Sequence, residues 1–384
     1  MVQDRKLIML PGPTNVPDRV MLAMMRPTIN HRGPEFSALL SSIAEGLKYV
    51  FETKEEVYVL TSSGTGAVEC AISNIIDAGD KVIVPTFGYF SERLKETVAR
   101  HGGRVIEVPF EWGEAPGTEQ IEKAIRKEKK VKLVAIVNNE TSTGVTVRNL
   151  PRMAEIAKQN DALLMADSIS ILGGDYLPVD KWGIDLCVTG SQKCLACPPG
   201  LALISVGKRA WEVIGKKAAK PPYYFDLPSI REHWLRKETP CTPAISLYYA
   251  LDESLKIIRE EGLKKRFQRY AKCAKAFYNG FEAIGLKPYP AENVRSNTVI
   301  TVKVPSGVDI SQVREIMKER YNVVITGGLG KIRQLILRIG CMGIISEAEV
   351  LTTINALENT LADLNYPIKI GRGVEAARKV FRSQ

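Results

Sequence analysis

The chain has 384 residues, of which 45% are hydrophobic and 25% are charged. These proportions are typical of a globular protein and exclude a mainly disordered or fibrous chain. Lysine and arginine exceed aspartate and glutamate by 10, but aromatic residues are not interleaved with the basic ones, so we expect no nucleic-acid partner. The apolar runs are all shorter than the ~18 residues of a membrane span, and the apolar stretch near the N-terminus is too short for a signal peptide. We therefore expect a cytoplasmic protein without membrane contact.

The seven cysteines are scattered and odd in number, which favours a reducing compartment over a disulfide framework. Cys194 and Cys197 form a CxxC pair, but the chain has no second pair of this kind. Its three histidines are not spaced as metal ligands. We expect no metal site.

The first two-thirds of the chain alternates short apolar runs with helical patterns. Runs rich in Val, Ile and Leu predict strands at 56–61, 81–85, 104–109, 131–137, 162–167, 185–190 and 201–206. Helical patterns between them predict helices at 65–77, 89–101, 118–128 and 150–160. This alternation predicts a mostly parallel sheet of seven strands with helices on both faces, and hence an α/β fold. The last two strands have no room for a helix between them, which predicts an antiparallel pair.

The pattern changes after residue 206. The stretch 221–234 is polar, aromatic and proline-bearing, which predicts an extended loop. A helical pattern at 244–280 has a break near Gly262, and the tail predicts strands near 297–303 and 333–338 and helices near 309–319 and 346–363. These elements are enough for a second, smaller α+β domain. We therefore expect an N-terminal segment at 1–15, a large domain at 16–262 and a small C-terminal domain at 263–384.

Small and polar residues follow several predicted strands, at the edge where an open parallel sheet binds its ligands. The SSGTG stretch (62–66) opens a helix and would either cap it or bind an anion on its backbone N–H groups. Asp167 would either form a turn or hold a proton on a heterocyclic nitrogen. Lys193 would be either a solvated loop lysine or a desolvated amine that forms imines. Taken together, the three are the groups that pyridoxal phosphate requires.

The stretch IDLCVTGSQKCLACPPGLALI (184–204) resembles the lysine signature of the class V, fold-type I aminotransferases. Within that class the chain looks like the alanine–glyoxylate and serine–pyruvate aminotransferase family, from LPGPTNVP (10–17) to LRIGCMG (337–343). The resemblance implies pyridoxal 5'-phosphate as cofactor, bound by the large domain. It also implies transamination between a small amino acid (alanine or serine) and a small 2-oxo acid (glyoxylate or pyruvate).

The resemblance further implies roles for individual residues. Lys193 falls on the Schiff-base lysine and Asp167 on the acid that pairs with the pyridine nitrogen. Ile169 and Phe90 fall on the residues that pack against opposite faces of the ring, with Tyr89 as the alternative to Phe90 if the register is shifted by one. The other implied cofactor contacts are Ser63, Gly64 and Thr65 around the phosphate, Gln192 as a further phosphate donor, and Thr141 near the phenolic oxygen.

Substrate and subunit contacts follow from the same resemblance. Arg338 falls on the arginine that binds the substrate carboxylate through two parallel hydrogen bonds, and Gly12 falls beside the substrate. Relatives add a Tyr and a Thr from the partner subunit to the phosphate. This chain has ETPCT (238–242) there, so Thr239 or Thr242 could serve, but no Tyr matches. The contact implies a homodimer with two shared active sites.

Three other functions remain open at this point. A class V aminotransferase acting on ureidoglycine or a phosphonate would share these residues. Cysteine desulfurases usually carry His before the lysine and need a nucleophilic cysteine on a mobile loop, whereas this chain has Gln192, and Cys341 directly follows a predicted strand. A non-catalytic protein that kept the fold is disfavoured by the intact Lys193, Asp167 and Arg338.

Overall fold

A computed structural model describes residues 6–383. Residues 1–5 and 384, at the ends of the predicted N-terminal segment and small domain, lie outside the described part. The strands are β1 (Leu7–Ile8), β2 (Val57–Thr61), β3 (Lys81–Thr86), β4 (Arg104–Pro109), β5 (Val131–Val137), β6 (Asn139–Glu140), β7 (Val145–Thr146), β8 (Leu163–Asp167), β9 (Leu186–Gly190), β10 (Leu201–Val206), β11 (Val299–Lys303), β12 (Val323–Val324), β13 (Thr326–Gly327) and β14 (Ile336–Gly340).

The helices alternate with these strands in the first half of the chain and dominate the second half. They are α1 (Asp18–Ala23), α2 (Pro34–Phe51), α3 (Gly64–Ile75), α4 (Tyr89–Arg100), α5 (Thr118–Glu128), α6 (Leu150–Gln159), α7 (Val179–Trp182), α8 (Lys208–Ile214), α9 (Leu227–Leu235), α10 (Ile245–Glu261), α11 (Leu263–Ala283), α12 (Ile310–Arg320), α13 (Glu347–Asp363) and α14 (Arg372–Arg382). In the described residues, no helix is long and apolar enough to cross a membrane.

The large sheet has the strand order β2-β10-β9-β8-β5-β3-β4. The seven strands predicted up to residue 206 are confirmed, and the predicted α/β fold is confirmed with them. Strand β10 runs antiparallel to both of its neighbours, which confirms the predicted antiparallel pair. Strands such as β8 and β9 are buried along their whole length. A strand whose two faces are both covered by helices consists mainly of apolar residues.

The topology brings the carboxyl ends of all the parallel strands to one edge of this sheet. Strands β3, β5, β8 and β9 are mutually parallel. Because β10 is antiparallel to both β9 and β2, β2 also points in their direction. The carboxyl ends of β2, β5, β8 and β9 therefore meet at one edge, where the polar residues after each strand come together.

One sequence prediction was wrong: the stretch 221–234 is mostly helical rather than an extended loop. A 3-10 turn occupies Tyr223–Phe225, and α9 follows it. The Asp226 side chain caps α9 by accepting a hydrogen bond from the Ser229 N–H at 3.3 Å. Proline in the first turn is compatible with a helix start, because the first N–H groups have no intrahelical acceptor.

A smaller antiparallel sheet, β11-β14-β13, follows in the last third of the chain. Its predicted strands and helices form, with bounds shifted by up to three residues. The C-terminal helix α14 was not predicted. The buried Glu358 carboxylate anchors its start by accepting hydrogen bonds from the Gly371 and Gly373 N–H groups at 2.9 and 2.6 Å. The division of the chain into 1–15, 16–262 and 263–384 stays a prediction.

The predicted break near Gly262 is confirmed, and the helix that follows it contacts the lysine loop. Gly262 adopts a positive φ of 78° between α10 and α11. Just after it, Arg266 is only 3% exposed. Its guanidinium donates to the carbonyl oxygens of Cys194 at 2.5 Å and Gly173 at 2.9 Å, and it pairs with Glu261 at 2.8 Å. The loop that carries Lys193 is thus tied to the start of α11.

Candidate active site

A cavity at the convergent strand ends contains about 540 Å³ of space not filled by atoms. Part of this space is open to solvent. Nine of the residues singled out in the sequence line it: Ser63, Gly64, Thr65, Phe90, Thr141, Asp167, Ile169, Gln192 and Lys193. The structure also adds four residues that the sequence had not assigned to the site: Arg93, Val137, Asn139 and Ser170.

Lys193 lies on the cavity wall just after β9. Its Nζ donates a hydrogen bond to the Pro11 carbonyl oxygen. Burial is the main reason that its pKa is lowered to about 8, and the positive charges of Arg338 and Arg93 also lower it. A substantial fraction of the amine is therefore neutral near pH 8, as a nucleophilic lysine requires.

Gly12 packs directly against this lysine. Its φ is +100°, and a Cβ atom added there would lie 2.5 Å from Cδ and 2.6 Å from Nζ of Lys193. Only glycine tolerates this backbone conformation readily and leaves the lysine side chain its place. The structure thus places Gly12 beside the amine rather than among the residues that line the cavity.

Asp167 ends β8 and is only 6% exposed. Burial raises the pKa of its carboxyl to about 6. The Ile169 N–H donates to Oδ1 at 3.1 Å and opposes this rise, as does the charge of Arg93. A cation facing the carboxylate would stabilise its ionised form further.

The N-terminus of α3 forms another wall of the cavity. Ser63 precedes the helix but makes no capping hydrogen bond with its side chain, so the SSGTG stretch does not cap α3 through this residue. A Cβ on Gly64 would lie 2.8 Å from Cδ1 of Ile169, so glycine allows the helix and the loop to approach closely without moving this side chain. The first N–H groups of a helix lack intrahelical acceptors, which makes this end suitable for an anion.

Phe90 and Arg93 lie on one face of α4, as their spacing of three residues requires. The Arg93 guanidinium stacks over the Phe90 ring at 4.7 Å from its centroid. The buried Glu140 carboxylate holds the start of α4 by accepting from the Phe90 and Ser91 N–H groups at 3.2 and 2.8 Å. Tyr89 lines a different cavity, so the structure places Phe90 rather than Tyr89 on this wall. The i, i+3 spacing was a signal that could have identified Arg93.

A network of neutral side chains forms the floor near β5. The Thr141 hydroxyl donates to Ser170 Oγ at 2.8 Å, and the Asn139 amide donates to the same oxygen at 2.7 Å. Asn139 Oδ1 in turn accepts from Thr146 at 2.6 Å. Contacts between such distant loops leave no signal in a local sequence pattern.

Arg338 lies in β14, at the edge of this cavity. Its Nη1 donates to the carbonyl oxygen of Thr141 at 3.2 Å, and its Nε donates to that of Gly327 at 2.7 Å. Burial lowers the pKa of the guanidinium to about 10, so it remains charged near neutral pH. The second guanidinium nitrogen, Nη2, forms no hydrogen bond within residues 6–383.

The remaining sequence candidates lie elsewhere in the chain. Thr239 and Thr242 line a separate cavity together with Thr61 and Tyr224, so a single chain does not bring them to Lys193. Cys341 is fully buried, and burial raises the pKa of its thiol well above the usual value.

The two cysteines of the CxxC pair are free and buried. In the described part of the chain, no group of three or more His, Cys, Asp or Glu side chains is arranged to hold a metal ion.

The model of the family described as aminotransferase class-V matches residues 10–340. The chain belongs to the class V aminotransferase family. Membership of this family implies pyridoxal 5'-phosphate as the cofactor.

Several curated proteins are similar along nearly the whole chain. An uncharacterized aminotransferase from Methanocaldococcus jannaschii is 44% identical over 379 residues, which cover 98% of both chains. A protein named soluble hydrogenase small subunit, from Synechococcus, is 35% identical over 99% of both chains. A serine–glyoxylate aminotransferase from Methylorubrum extorquens is 35% identical over 98% of this chain and 96% of its own.

Two solved class V aminotransferases have the same fold. The ureidoglycine–glyoxylate aminotransferase of Bacillus subtilis superposes with a TM-score of 0.94 at 31% identity and covers 100% of both chains. The alanine–glyoxylate aminotransferase of Nostoc superposes with a TM-score of 0.91 at 32% identity, covering 94% of this chain and 96% of that one.

The contact between Gly12 and Lys193 generates a test. In Gly12→Ala the new methyl group should push the Lys193 amine aside, because it would lie 2.5 Å from Cδ. We expect a folded protein with little covalently attached cofactor, measured as bound pyridoxal phosphate after borohydride reduction.

Gly79→Ala is the matched control, since Gly79 also has a positive φ, +88°, but no atom lies within 4 Å of the added Cβ. It should lose some stability and keep its cofactor. Full attachment in Gly12→Ala would contradict the placement of Gly12 against the amine.

Proposed function

We propose that this chain is a pyridoxal phosphate-dependent aminotransferase for small substrates. It would transfer an amino group between alanine or serine and glyoxylate or pyruvate. The observation that carries the proposal is that Lys193 and Asp167 face one cavity, with Arg338 at its edge. The names of the similar serine–glyoxylate and alanine–glyoxylate enzymes support the choice of small substrates.

The residues present fit this cofactor. The N-terminus of α3 and the Ser63 and Thr65 hydroxyls suit its phosphate. Gln192 supports this, because its buried Oε1 lacks a hydrogen-bond partner among residues 6–383. Rotation of the Gln192 side-chain amide by half a turn would place its NH2 group, a hydrogen-bond donor, where Oε1 lies. Phe90 and Ile169 supply apolar surface for the two faces of a ring.

Asp167 would hold a proton on the ring nitrogen. Its carboxylate is buried, and its pKa of about 6 lies above that of an ordinary aspartate. A cationic nitrogen opposite it would lower that pKa and restore a favourable ion pair. When bound, the cofactor supplies an electron sink for the carbanion that forms at the substrate Cα.

Lys193 would bind the cofactor and then move a proton. Its Nζ has a pKa lowered to about 8, close to the operating range that suits a general base. The neutral amine can take the proton from the Cα of the amino-acid substrate. In the second half-reaction it can deliver a proton to the Cα that derives from the 2-oxo acid. Gly12 and the Pro11 carbonyl oxygen would keep the amine at this position.

Arg338 would orient the substrate through its carboxylate. Its Nη1 and Nε are held by the Thr141 and Gly327 carbonyl oxygens, so the plane of the guanidinium is set before a substrate arrives. A carboxylate that binds such a pre-oriented guanidinium has its Cα placed with little loss of freedom.

We also propose a homodimer with shared active sites. The Thr239 hydroxyl is buried without a hydrogen-bond partner among the described residues. The segment that contains Thr239 and Thr242 pairs with the N-terminal region through Arg32 and Glu238 at 2.8 Å. Exposed apolar side chains occur in these parts of the chain: Met21, Leu22, Met25, Tyr223, Tyr224 and Leu235.

Activity is the direct test of the proposal. Purified protein loaded with pyridoxal phosphate should transfer the amino group of alanine or serine to glyoxylate or pyruvate. Lys193→Ala should lose this activity and the borohydride-fixed cofactor, because no other amine lines the cavity. The exposed Lys265→Ala is the control and should keep both. Inactivity of the loaded wild type with all four substrate pairs would refute the small-substrate proposal, and (S)-ureidoglycine would then be assayed.

The charge of Asp167 generates a second test. Asp167→Asn should keep the fold but lose about a hundred-fold or more in turnover, because an amide cannot supply charge to the ring nitrogen. The wild-type carboxyl is ionised above its pKa of about 6 and neutral below it. The wild type should therefore bind the cofactor more tightly than Asp167→Asn above about pH 6. This difference should shrink as the pH falls below that value.

Spectroscopic titration with pyridoxal phosphate over a pH series measures this advantage. Asp161→Asn, at an exposed turn, is the control and should behave as the wild type. If the ratio of the wild-type affinity to the Asp167→Asn affinity does not vary with pH, the charge of Asp167 does not contribute to cofactor binding.

The dimer is tested by its exposed apolar side chains. Light scattering should give twice the mass of one chain for the wild type. Met25→Glu places a charge at a side chain that is 79% exposed, and it should reduce the mass to that of one chain if this surface is the interface. Ile370→Glu is the control and should stay dimeric. Ile370 is 57% exposed and lies in the segment just before α14. A monomeric wild type would overturn the proposal.

A further inference from the structure

A short hairpin lies between the cavity and the small sheet. It consists of residues 139–146, in which β6 and β7 pair antiparallel, and all of its residues are buried. Asn139 and Thr141 line the cavity. Between them lies Glu140, a fully buried acid to which the proposed chemistry gives no role.

The Glu140 carboxylate is surrounded by hydrogen-bond donors. Its Oε1 accepts from the Phe90 N–H at 3.2 Å, and its Oε2 accepts from the Ser91 N–H at 2.8 Å. Ser142, in the same hairpin, donates to Oε1 from its N–H at 3.1 Å and from its Oγ at 2.6 Å. No basic side chain pairs with Glu140 among residues 6–383. Backbone N–H groups at a helix start thus take the place of a counter-ion.

The hairpin contacts the start of α4 at three successive backbone groups. Ser142 Oγ also accepts from the Tyr89 N–H at 2.9 Å, so the first three N–H groups of α4 all bond to the hairpin. A Cβ added at Gly88, just before the helix, would overlap the Glu140 side chain, which shows how closely the two segments approach. The position of Phe90 on the cavity wall is therefore set by the hairpin.

The opposite side of the hairpin contacts the small sheet. The carbonyl oxygen of Thr141 accepts from Arg338 Nη1 at 3.2 Å. The carbonyl oxygen of Thr143 accepts from the Thr301 hydroxyl at 2.8 Å, and Thr301 is the cross-strand partner of Arg338 in this sheet. The hairpin therefore holds both the guanidinium and the strand beside it.

The negative charge of Glu140 is unfavourable for an anion bound at Arg338. Burial lowers the pKa of the Arg338 guanidinium, and the charge of Glu140 opposes that effect, so the two side chains interact electrostatically. The same charge would repel a substrate carboxylate bound to Arg338. By its field alone, a neutral residue at this position would bind the carboxylate better. The hydrogen bonds to α4 supply a different reason for an acid here.

We propose that Glu140 is a positioning residue, whose carboxylate fixes the 139–146 hairpin to α4 and so sets the positions of Phe90 and Arg338 together. The inference rests on the proposed function, because it takes Phe90 as a contact of the cofactor ring and Arg338 as the site of the substrate carboxylate. A shift of the hairpin would move both groups, and the substrate Cα would lose its alignment with the ring.

Glu140→Gln tests the proposal in the holoenzyme. The amide keeps one acceptor, but its NH2 group faces donors and cannot accept from them. We expect a folded protein in which the visible circular dichroism of bound pyridoxal phosphate, which reports how the ring is held, is reduced. Propionate carries the carboxylate without an amino group, and its Kd in calorimetry should rise on the order of ten-fold.

Glu358→Gln is the matched control. Glu358 is also fully buried, and it also accepts from two backbone N–H groups at a helix start, that of α14, but it does not line the cavity. It should lower the melting temperature yet keep the wild-type dichroism and propionate Kd. If Glu358→Gln changes both quantities as Glu140→Gln does, the effect is a general loss of stability and the inference is wrong.

The direction of the change in propionate affinity separates positioning from a field effect. Removal of a negative charge by itself would tighten propionate binding, whereas loss of positioning weakens it. Ser142→Ala removes a link between the hairpin and α4 without changing the charge, and it should weaken propionate binding less than Glu140→Gln does. Tighter or unchanged binding in Glu140→Gln overturns the inference.

Neither measurement requires turnover, so this inference and the proposed function can fail separately. Reduced dichroism and weaker propionate binding in Glu140→Gln support the inference even if the wild type transfers no amino group from alanine or serine. A change in only one of the two quantities overturns it, because the hairpin is proposed to set both positions. Wild-type values of both also overturn it, even if alanine and serine are good donors.

Discussion

Three ionisable groups, Lys193, Asp167 and Arg338, are withdrawn from water at one edge of the large sheet, and among residues 6–383 none of them has an ion-pair partner. Burial shifts each pKa towards the neutral form: to about 8 for the lysine, about 6 for the aspartate and about 10 for the arginine. An unpaired buried charge is costly, so the groups are stabilised by a ligand that supplies the missing charges. A cofactor with a cationic ring nitrogen and a substrate with a carboxylate have this distribution of charge.

Backbone groups rather than counter-ions hold the two cations in place. Carbonyl oxygens bind the Lys193 amine and two nitrogens of Arg338. Such contacts orient the Arg338 guanidinium without neutralising it, so its charge stays available for a ligand, and they orient the Lys193 amine without a counter-ion that would favour its charged form. The buried Arg266 has the opposite arrangement: it pairs with Glu261 and fixes the lysine loop through the Cys194 carbonyl oxygen. Charge is therefore paired where the scaffold needs rigidity and left unpaired where chemistry is proposed.

The cavity at the strand ends contains the groups that fit the cofactor. The shared class V fold leaves the identity of the substrate to local differences around such a cavity.

The sequence by itself determined the strands of the large sheet, because buried parallel strands need short runs of Val, Ile and Leu whatever surrounds them. It also located Lys193, Asp167 and the SSGTG turn at strand ends, since topology brings the ends of parallel strands to one edge. The structure then placed nine of the implied residues around one cavity.

Only the tertiary structure decided that 221–234 is mostly helical, that α14 docks through Glu358, and that Arg93, Asn139 and Ser170 join the site. These features depend on contacts between residues far apart in the chain, and a local pattern of residue types does not record which distant segments meet.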